Sequence, residues 1–346
     1  MKLSIGIVGL PNVGKSTLFK TLTKQQVHIA NYPFATIDPN VGVVYVPDER
    51  LDKLTKLSKS KKTVPAVVEF YDIAGLVKGA NKGEGLGNQF LAHIRDTQAI
   101  VIVLRIFKNP EIIHVENSVD PIRDMEIINT ELILKDLESV TKRLGKAESD
   151  ARSGGKPAAQ DCDQLATVKK WLDDGNLPTS SEDIMGLISA RGGQARLTDK
   201  RIEELNLLTA KRQLYLLNGE EKDVSPELIK KIKDAGADYV VADLAADAYV
   251  PALIKKAYEI LNLISFFTTG EDETRAWTIS RGMKAPRASG VIHTDFEAKF
   301  IRAEVINWQK LLEAGGWVQA KQKGLIRLEG KDYVVQDGDV LVVRHG

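Results

Sequence analysis

The residues with the clearest chemistry are Gly9-Leu10-Pro11-Asn12-Val13-Gly14-Lys15-Ser16-Thr17. Two glycines with four residues between them, then lysine and a hydroxyl, give the G-x-x-x-x-G-K-S pattern of a phosphate-binding loop. The glycines let the backbone wrap so that its N–H groups face the phosphates of a nucleotide. Lys15 is expected to reach the β- and γ-phosphates, and the Ser16 hydroxyl to hold Mg²⁺. Asn12, Val13, Gly14, Lys15, Ser16 and Thr17 are thus the expected nucleotide contacts. A second signal is Asp72-Ile73-Ala74-Gly75, a D-x-x-G closing the apolar run from Ala66. Asp72 is expected to hold Mg²⁺ through water, and Gly75 to give its N–H to the γ-phosphate.

These groups need elements to carry them. Leu3 to Val8 reads as a buried strand feeding the loop. The helix that follows from Ser16 points its N-terminus at the same anions. Further strands are expected at Val41 to Val46, Ala66 to Asp72, Ala99 to Leu104, Gln213 to Leu217 and Tyr239 to Ala242. Helices alternate with them, the last two at about Pro226 to Ala235 and Val250 to Leu261. This order predicts an α/β fold, a doubly wound P-loop sheet with its ligand at the carboxyl ends of the strands. Gly75, Gly79, Gly83, Gly85 and Gly87 lie too densely for a packed element and read as a loop that orders with the γ-phosphate.

From Pro121 to Lys146 the apolar residues recur at three and four, as on a long amphipathic helix. Ser153-Gly154-Gly155-Lys156-Pro157 breaks it, and a second run carries Cys162, Leu165, Val168 and Leu172. Together they predict an antiparallel helical hairpin inserted into the sheet, with Cys162 serving packing. A further helical stretch is expected near Glu182 to Leu208. After Ser265 the chain becomes a small mixed module, with short strands expected at Thr278-Ile279, Val291-Ile292-His293, Lys331 to Val335 and Val340 to Val343. The expected domains are 1–124 with 203–264, an insertion at 125–202, and 265–346.

The chain has 346 residues and a net charge of +1. Any nucleic-acid contact therefore depends on a local patch. The run Arg50, Lys53, Lys56, Lys59, Lys61 and Lys62 reads either as a solvated face or as such a patch. The single cysteine cannot form an internal disulfide, which fits a reducing, cytoplasmic setting. The N-terminal apolar run is too short for a signal peptide, and no apolar run reaches the ~20 residues of a membrane span.

The phosphate loop with Asn31-Tyr32-Pro33-Phe34-Ala35-Thr36 resembles the Obg-type loop and switch. Phe266 to Thr278 and Gly290-Val291-Ile292-His293-Thr294-Asp295-Phe296 are similar to the YchF subfamily of Obg-like ATPases. The resemblance covers nearly the whole chain. It implies a nucleotide-binding domain with an inserted helical hairpin and a C-terminal TGS domain of small, β-grasp-like α+β type. It also implies that Thr36 coordinates Mg²⁺ when triphosphate is bound.

Guanine-specific relatives read the base with N-K-x-D, whose aspartate accepts two hydrogen bonds from guanine. Here the stretch is Asn218-Gly219-Glu220-Glu221. The lysine is replaced by Gly219, and the longer Glu221 cannot occupy the aspartate's place without moving the loop. Loss of such a bidentate contact can erase ~10⁴-fold discrimination. Asn218 and the backbone near Gly219 could meet adenine's amine and ring nitrogen. The resemblance fits an N-x-x-E pattern and a preference for ATP over GTP. Where Ras-like enzymes carry a water-orienting glutamine after D-x-x-G, this chain has Leu76. His114, following the strand that ends at Leu104, is the candidate to orient the water in its place. Asn12 is a candidate to hold K⁺ beside the phosphates.

Two classes of function follow. One is an ATPase switch, monomeric and free of the membrane, that reports nucleotide state to a large partner. The resemblance points to the ribosome, with RNA contacts from the basic run and the C-terminal module. The other is an interaction protein with a structural nucleotide and negligible turnover. A GTPase is the nearer alternative to the ATPase.

Overall fold

The structure, a computed structural model, describes residues 3–24, 41–72, 94–109, 114–116, 118–152, 156–188, 204–245 and 249–346. Thr36, Gly75, Leu76 and the glycine-dense stretch lie outside the described residues.

The first sheet has six strands: β1 (Leu3–Val8), β2 (Val41–Tyr45), β4 (Val67–Asp72), β5 (Ala99–Arg105), β6 (Arg212–Asn218) and β7 (Asp238–Ala242), in the order β2-β4-β1-β5-β6-β7. β2 runs antiparallel to β4 and the other pairs are parallel. β5 is buried at every position because helices cover both faces, which is why it reads as a continuous apolar run. Helix α1 (Lys15–Lys24) buries Leu18 and Leu22 on the same core as Ile5, Ile7 and Val101. Each such side chain contributes about 1.5–3 kcal/mol when fully buried.

The inserted helices form the expected hairpin. α3 (Pro121–Arg152) runs for 32 residues, six beyond the predicted Lys146, before α4 (Lys156–Asp173) returns. Val140 and Ala147 pack against Leu165, Val168 and Leu172, while Met125, Ile128 and Leu132 at the base join the sheet core. Cys162 is half-buried against the hairpin core, as its place on the stripe implied. The buried Asp136 ties the hairpin to the chain entering β6. It accepts the N–H of Leu208 at 3.0 Å, and the N–H and hydroxyl of Thr209 at 2.7 Å each. Of the helical stretch expected near Glu182 to Leu208, the described residues show a helix at Glu182–Ile188 (α5) and turns at 204–211. Among the described residues, no helix is long and apolar enough to cross a membrane.

The second sheet joins β8 (Leu263–Thr269), β9 (Glu273–Ser280), β10 (Phe300–Asn307), β11 (Arg327–Glu329) and β12 (Asp339–His345). Its sixth strand, β3 (Lys62–Val64), comes from the first half of the chain. The strand expected at Val291-Ile292-His293 is instead the end of helix α8 (Ala285–Ile292). Pro286 starts that helix, and Ala285, Ala288 and Ser289 turn one small-residue face into the core, so helical spacing overrides the β-branched pair. Lys331 to Val335 forms a single bridge, Lys284 to Val334, rather than a strand.

The lysines of the basic run are exposed, as on a solvated face, and part of the run also ties its segment to the second sheet. Helix α2 (Glu49–Ser58) is capped by Asp48 and buries Leu51 and Leu54 against Phe267, Ile306 and Val340. Lys59 then turns the chain with φ 51°, and β3 pairs in parallel with β9. The N–H groups of Lys61 and Lys62 donate to Glu271 and Asp272, and the Lys61 ammonium meets the Asp272 carboxylate at 2.9 Å. Arg50 reaches Asp337 at 2.8 Å. Arg50, Lys61 and Lys62 thus pair with acids of the second sheet and its turns, while Lys53 pairs within its own helix with Glu49.

Candidate functional site

The phosphate loop leaves β1 at Gly9, where a Cβ would lie 2.7 Å from the Val103 carbonyl of β5. Only glycine lets the chain turn so close to the neighbouring strand. Gly14 has φ +113°, and a Cβ there would meet the Asn218 Nδ2 at 2.6 Å. Asn12 takes φ 62°, a left-handed conformation that asparagine accepts more readily than most residues. Val13 is buried beneath the loop, and Ser16 and Thr17 are exposed at the start of α1.

Lys15 is half-buried and its Nζ donates to the Leu10 carbonyl at 2.7 Å, a contact within the loop that a phosphate can replace. Burial lowers its ammonium pKa, and the nearby Asp72 opposes that shift. Burial raises the Asp72 carboxyl, and Lys15 opposes it in turn. The sheet thus brings the end of β4 to the phosphate loop, as β1 and β4 pair in parallel through Ile7 and Asp72. The exposed Ser16 hydroxyl and the Asp72 carboxylate are hard oxygen donors of the kind Mg²⁺ takes alongside phosphate oxygens and water.

A cleft of about 380 Å³ opens over Asn12, Gly14, Lys15, Ser16 and Thr17. Its far wall is Phe107, Asn218, Asp243, Leu244 and Ala245. Asn218 is buried and braces the site: Nδ2 donates to the Val13 carbonyl at 2.9 Å, and Oδ1 accepts the Leu244 N–H at 3.2 Å. Its amide is therefore engaged by the chain on both sides. The Gly219 N–H donates to Ala242 at 3.0 Å, and a Cβ at Gly219 would lie 2.5 Å from Ile106. Glu221 is exposed at the start of a one-turn 3-10 helix, Glu221–Asp223, and does not line the cleft.

Phe107 and the Asp243–Ala245 turn had no motif to announce them. Phe107 is held by Arg105, whose guanidinium lies 4.5 Å from the ring centroid and donates to the carbonyls of Phe107 and Asn109. Asp243 shapes its turn by accepting the Ala245 N–H at 2.9 Å. The available signal was position, since both segments follow the carboxyl ends of parallel strands.

His114 is 4% exposed. Its Nδ1 accepts the Glu116 N–H at 3.2 Å, and its Nε2 lies 2.8 Å from Asp124 Oδ2 on α3. Arg123 also contacts Asp124, at 2.9 Å. In this conformation both ring nitrogens face protein groups.

Residues 4–140 match the family described as 50S ribosome-binding GTPase. Residues 263–346 match the YchF-GTPase C-terminal family, described as a protein of unknown function. The chain is 45% identical to the ribosome-binding ATPase YchF of Bacillus subtilis, covering 99% of both chains. It is 42% identical to the protein of that name from Escherichia coli O157:H7, covering 99% of this chain and 98% of the relative. The solved YchF GTPase of Schizosaccharomyces pombe is 38% identical, with a TM-score of 0.79 over 99% of this chain and 98% of that one. With relatives of 38–45% identity matched over 98–99% of both chains, the chain belongs to the YchF family.

Proposed function

We propose that this protein is a Mg²⁺-dependent nucleoside triphosphate hydrolase that prefers ATP to GTP and acts as a switch on the ribosome in the cytoplasm. The observation carrying the chemistry is the phosphate loop, whose Lys15 and Ser16 line a cleft and whose strand pairs in register with the one ending at Asp72. The loop N–H groups and Lys15 would take the phosphates, Ser16 and Thr36 would hold Mg²⁺ with Asp72 acting through water, and Gly75 would meet the γ-phosphate. Mg²⁺ supplies positive charge to the phosphate oxygens as negative charge moves during transfer.

The preference for ATP is argued from Gly219 and Glu221 standing where a guanine reader needs lysine and aspartate. Asn218 fixes the loop with one amide hydrogen and one oxygen lone pair, and its second hydrogen and lone pair are the proposed contacts to adenine. Phe107 supplies an apolar face to the cleft that suits either purine, so it does not decide the base. His114 is the proposed water-orienting group, a role that requires its Nε2 to leave Asp124. Asn12, exposed on the loop, is the proposed K⁺ ligand. The ribosome enters through the relatives named ribosome-binding ATPase. The protein acts as a monomer in this reading.

The test is hydrolysis of ATP and GTP side by side with Mg²⁺, in wild type, Lys15→Ala and Ser16→Ala, with cosedimentation on purified ribosomal subunits. Greater catalytic efficiency with ATP, lost in both variants, is the expected result. Equal efficiency with GTP refutes the base preference, and absent turnover refutes the switch.

A further inference from the structure

Among the described residues that line the nucleotide cleft, Asp243 is the one carboxylate. It directly follows β7, and the sheet fixes its place beside Asn218. Ala242, just before it, pairs with Asn218 in the β6–β7 register. Leu244, just after it, donates its N–H to the Asn218 Oδ1 at 3.2 Å. Ala242 and Leu244 are buried while Asp243 is exposed. The acid is therefore held between two anchored residues, on the wall that faces the phosphate loop.

One of its oxygens is committed. Oδ1 accepts the Ala245 N–H at 2.9 Å and shapes the turn. Oδ2 has no hydrogen bond or ion pair among the described residues. A carboxylate repels phosphates, so its partner in a nucleotide is an N–H of the base. The phosphate loop forms the near wall, which leaves the far wall, with Phe107, Asn218 and Asp243, to the base. Glu221 is no rival for this contact, since it does not line the cleft.

The two purines differ in sign at position 6. Adenine carries an amine there, with two hydrogens to donate. Guanine carries a carbonyl oxygen, which a carboxylate repels. An acid at this position therefore favours adenine twice, by a charge-assisted hydrogen bond and by rejecting the competitor. The hydrogen and lone pair proposed for Asn218 match the ring nitrogen N7 and one amine hydrogen, as asparagine pairs with adenine elsewhere. The second amine hydrogen is left for Asp243. We propose that Asp243 is the specificity-determining residue for the base, its Oδ2 accepting the 6-amino group of ATP and repelling the 6-oxo group of GTP. The proposal rests on the ATP-over-GTP reading and gives that preference a residue.

The test is titration calorimetry of the full chain in Mg²⁺ buffer with ATP, GTP, ITP and purine riboside triphosphate. ITP has the 6-oxo group without guanine's 2-amino group, and purine riboside has no group at position 6. Asp243→Asn keeps an oxygen for the Ala245 N–H and puts an amide donor in place of Oδ2. In that variant ATP should bind about ten-fold more weakly, and GTP and ITP about ten-fold more tightly. Purine riboside triphosphate should change by less than about two-fold. Asp243→Ala should erase the advantage of ATP over purine riboside triphosphate. An unchanged ATP-to-GTP ratio in Asp243→Asn, or an equal loss for all the triphosphates, overturns the proposal and leaves Asp243 a turn residue. So does a greater loss for GTP than for ATP, which would put the carboxylate at guanine's N1 edge. Equal wild-type affinity for ATP and GTP, with Asp243→Asn still gaining GTP and ITP, would refute the base preference and leave the contact at position 6 standing.

Discussion

Asn218 and Val13 lie 205 positions apart and are joined by one hydrogen bond of 2.9 Å, from the buried amide Nδ2 to the phosphate-loop carbonyl. The same amide accepts the Leu244 N–H. One side chain thus fixes the phosphate loop against the turn forming the far wall of the cleft. Asn218→Ala leaves the Val13 carbonyl and the Leu244 N–H without this partner, at a cost of about 1–3 kcal/mol per buried group. Nucleotide affinity should fall at least ten-fold, measured by titration calorimetry. Gly14→Ala should be worse, since its Cβ meets both Asn218 and Leu244 within 3 Å and its φ is +113°.

The joint between the two sheets rests on a small hydroxyl cluster. Thr274 is fully buried and its hydroxyl lies 2.7 Å from Ser60 and 2.5 Å from Thr269. Ser60 also donates to the Gly270 carbonyl at 2.6 Å. Thr274→Val keeps the shape and removes the central oxygen. Stability should fall by about 1–3 kcal/mol. Amide exchange should quicken at Lys62–Val64 before it does in β10 or β12, and uniform exchange would refute this local role.

Lys211 gives a signed pH dependence. Burial depresses its ammonium to about 8 from 10.5, with Asp136 and Asp96 opposing the shift. Its Nζ donates to the carbonyls of Arg95 and Thr97. Between those two values the unfolded chain holds more protons than the folded one, so this group makes stability rise with pH across the window. Lys211→Met should flatten that part of the rise. Denaturant midpoints of the two proteins, compared across the window at constant ionic strength, check it.

His114 and Asp124 separate a chemical role from a structural one. His114→Ala leaves Asp124 buried with Arg123 as its remaining ion-pair partner, and stability should fall by about 1–3 kcal/mol. If His114 orients the attacking water, single-turnover hydrolysis should also slow about 10²-fold or more while ATP binding holds. An unchanged rate with intact binding rejects the catalytic role.

Potassium tests Asn12. Replacing K⁺ with Na⁺ at equal ionic strength should slow hydrolysis in the wild type and leave Asn12→Ala indifferent. A rate independent of the cation removes K⁺ from the site.

The sequence alone determined what local chemistry dictates. The phosphate loop needs its glycines, lysine and serine in one short run, so they are readable in order. The parallel strands announce themselves because burial on both faces makes them continuously apolar. The hairpin is legible because one apolar stripe repeats over many turns.

Tertiary structure decided whatever joins distant positions. β3 lies hidden at the end of the basic run because its edge position leaves most of its side chains exposed, and its membership of the second sheet exists only through backbone bonds to β9. Phe107 and Asp243 become cleft walls because parallel pairing brings three strand ends to one edge. His114 was chosen for its type and place, but packing against α3 sets where its nitrogens point. In each case the deciding contact spans a chain separation that no local pattern encodes.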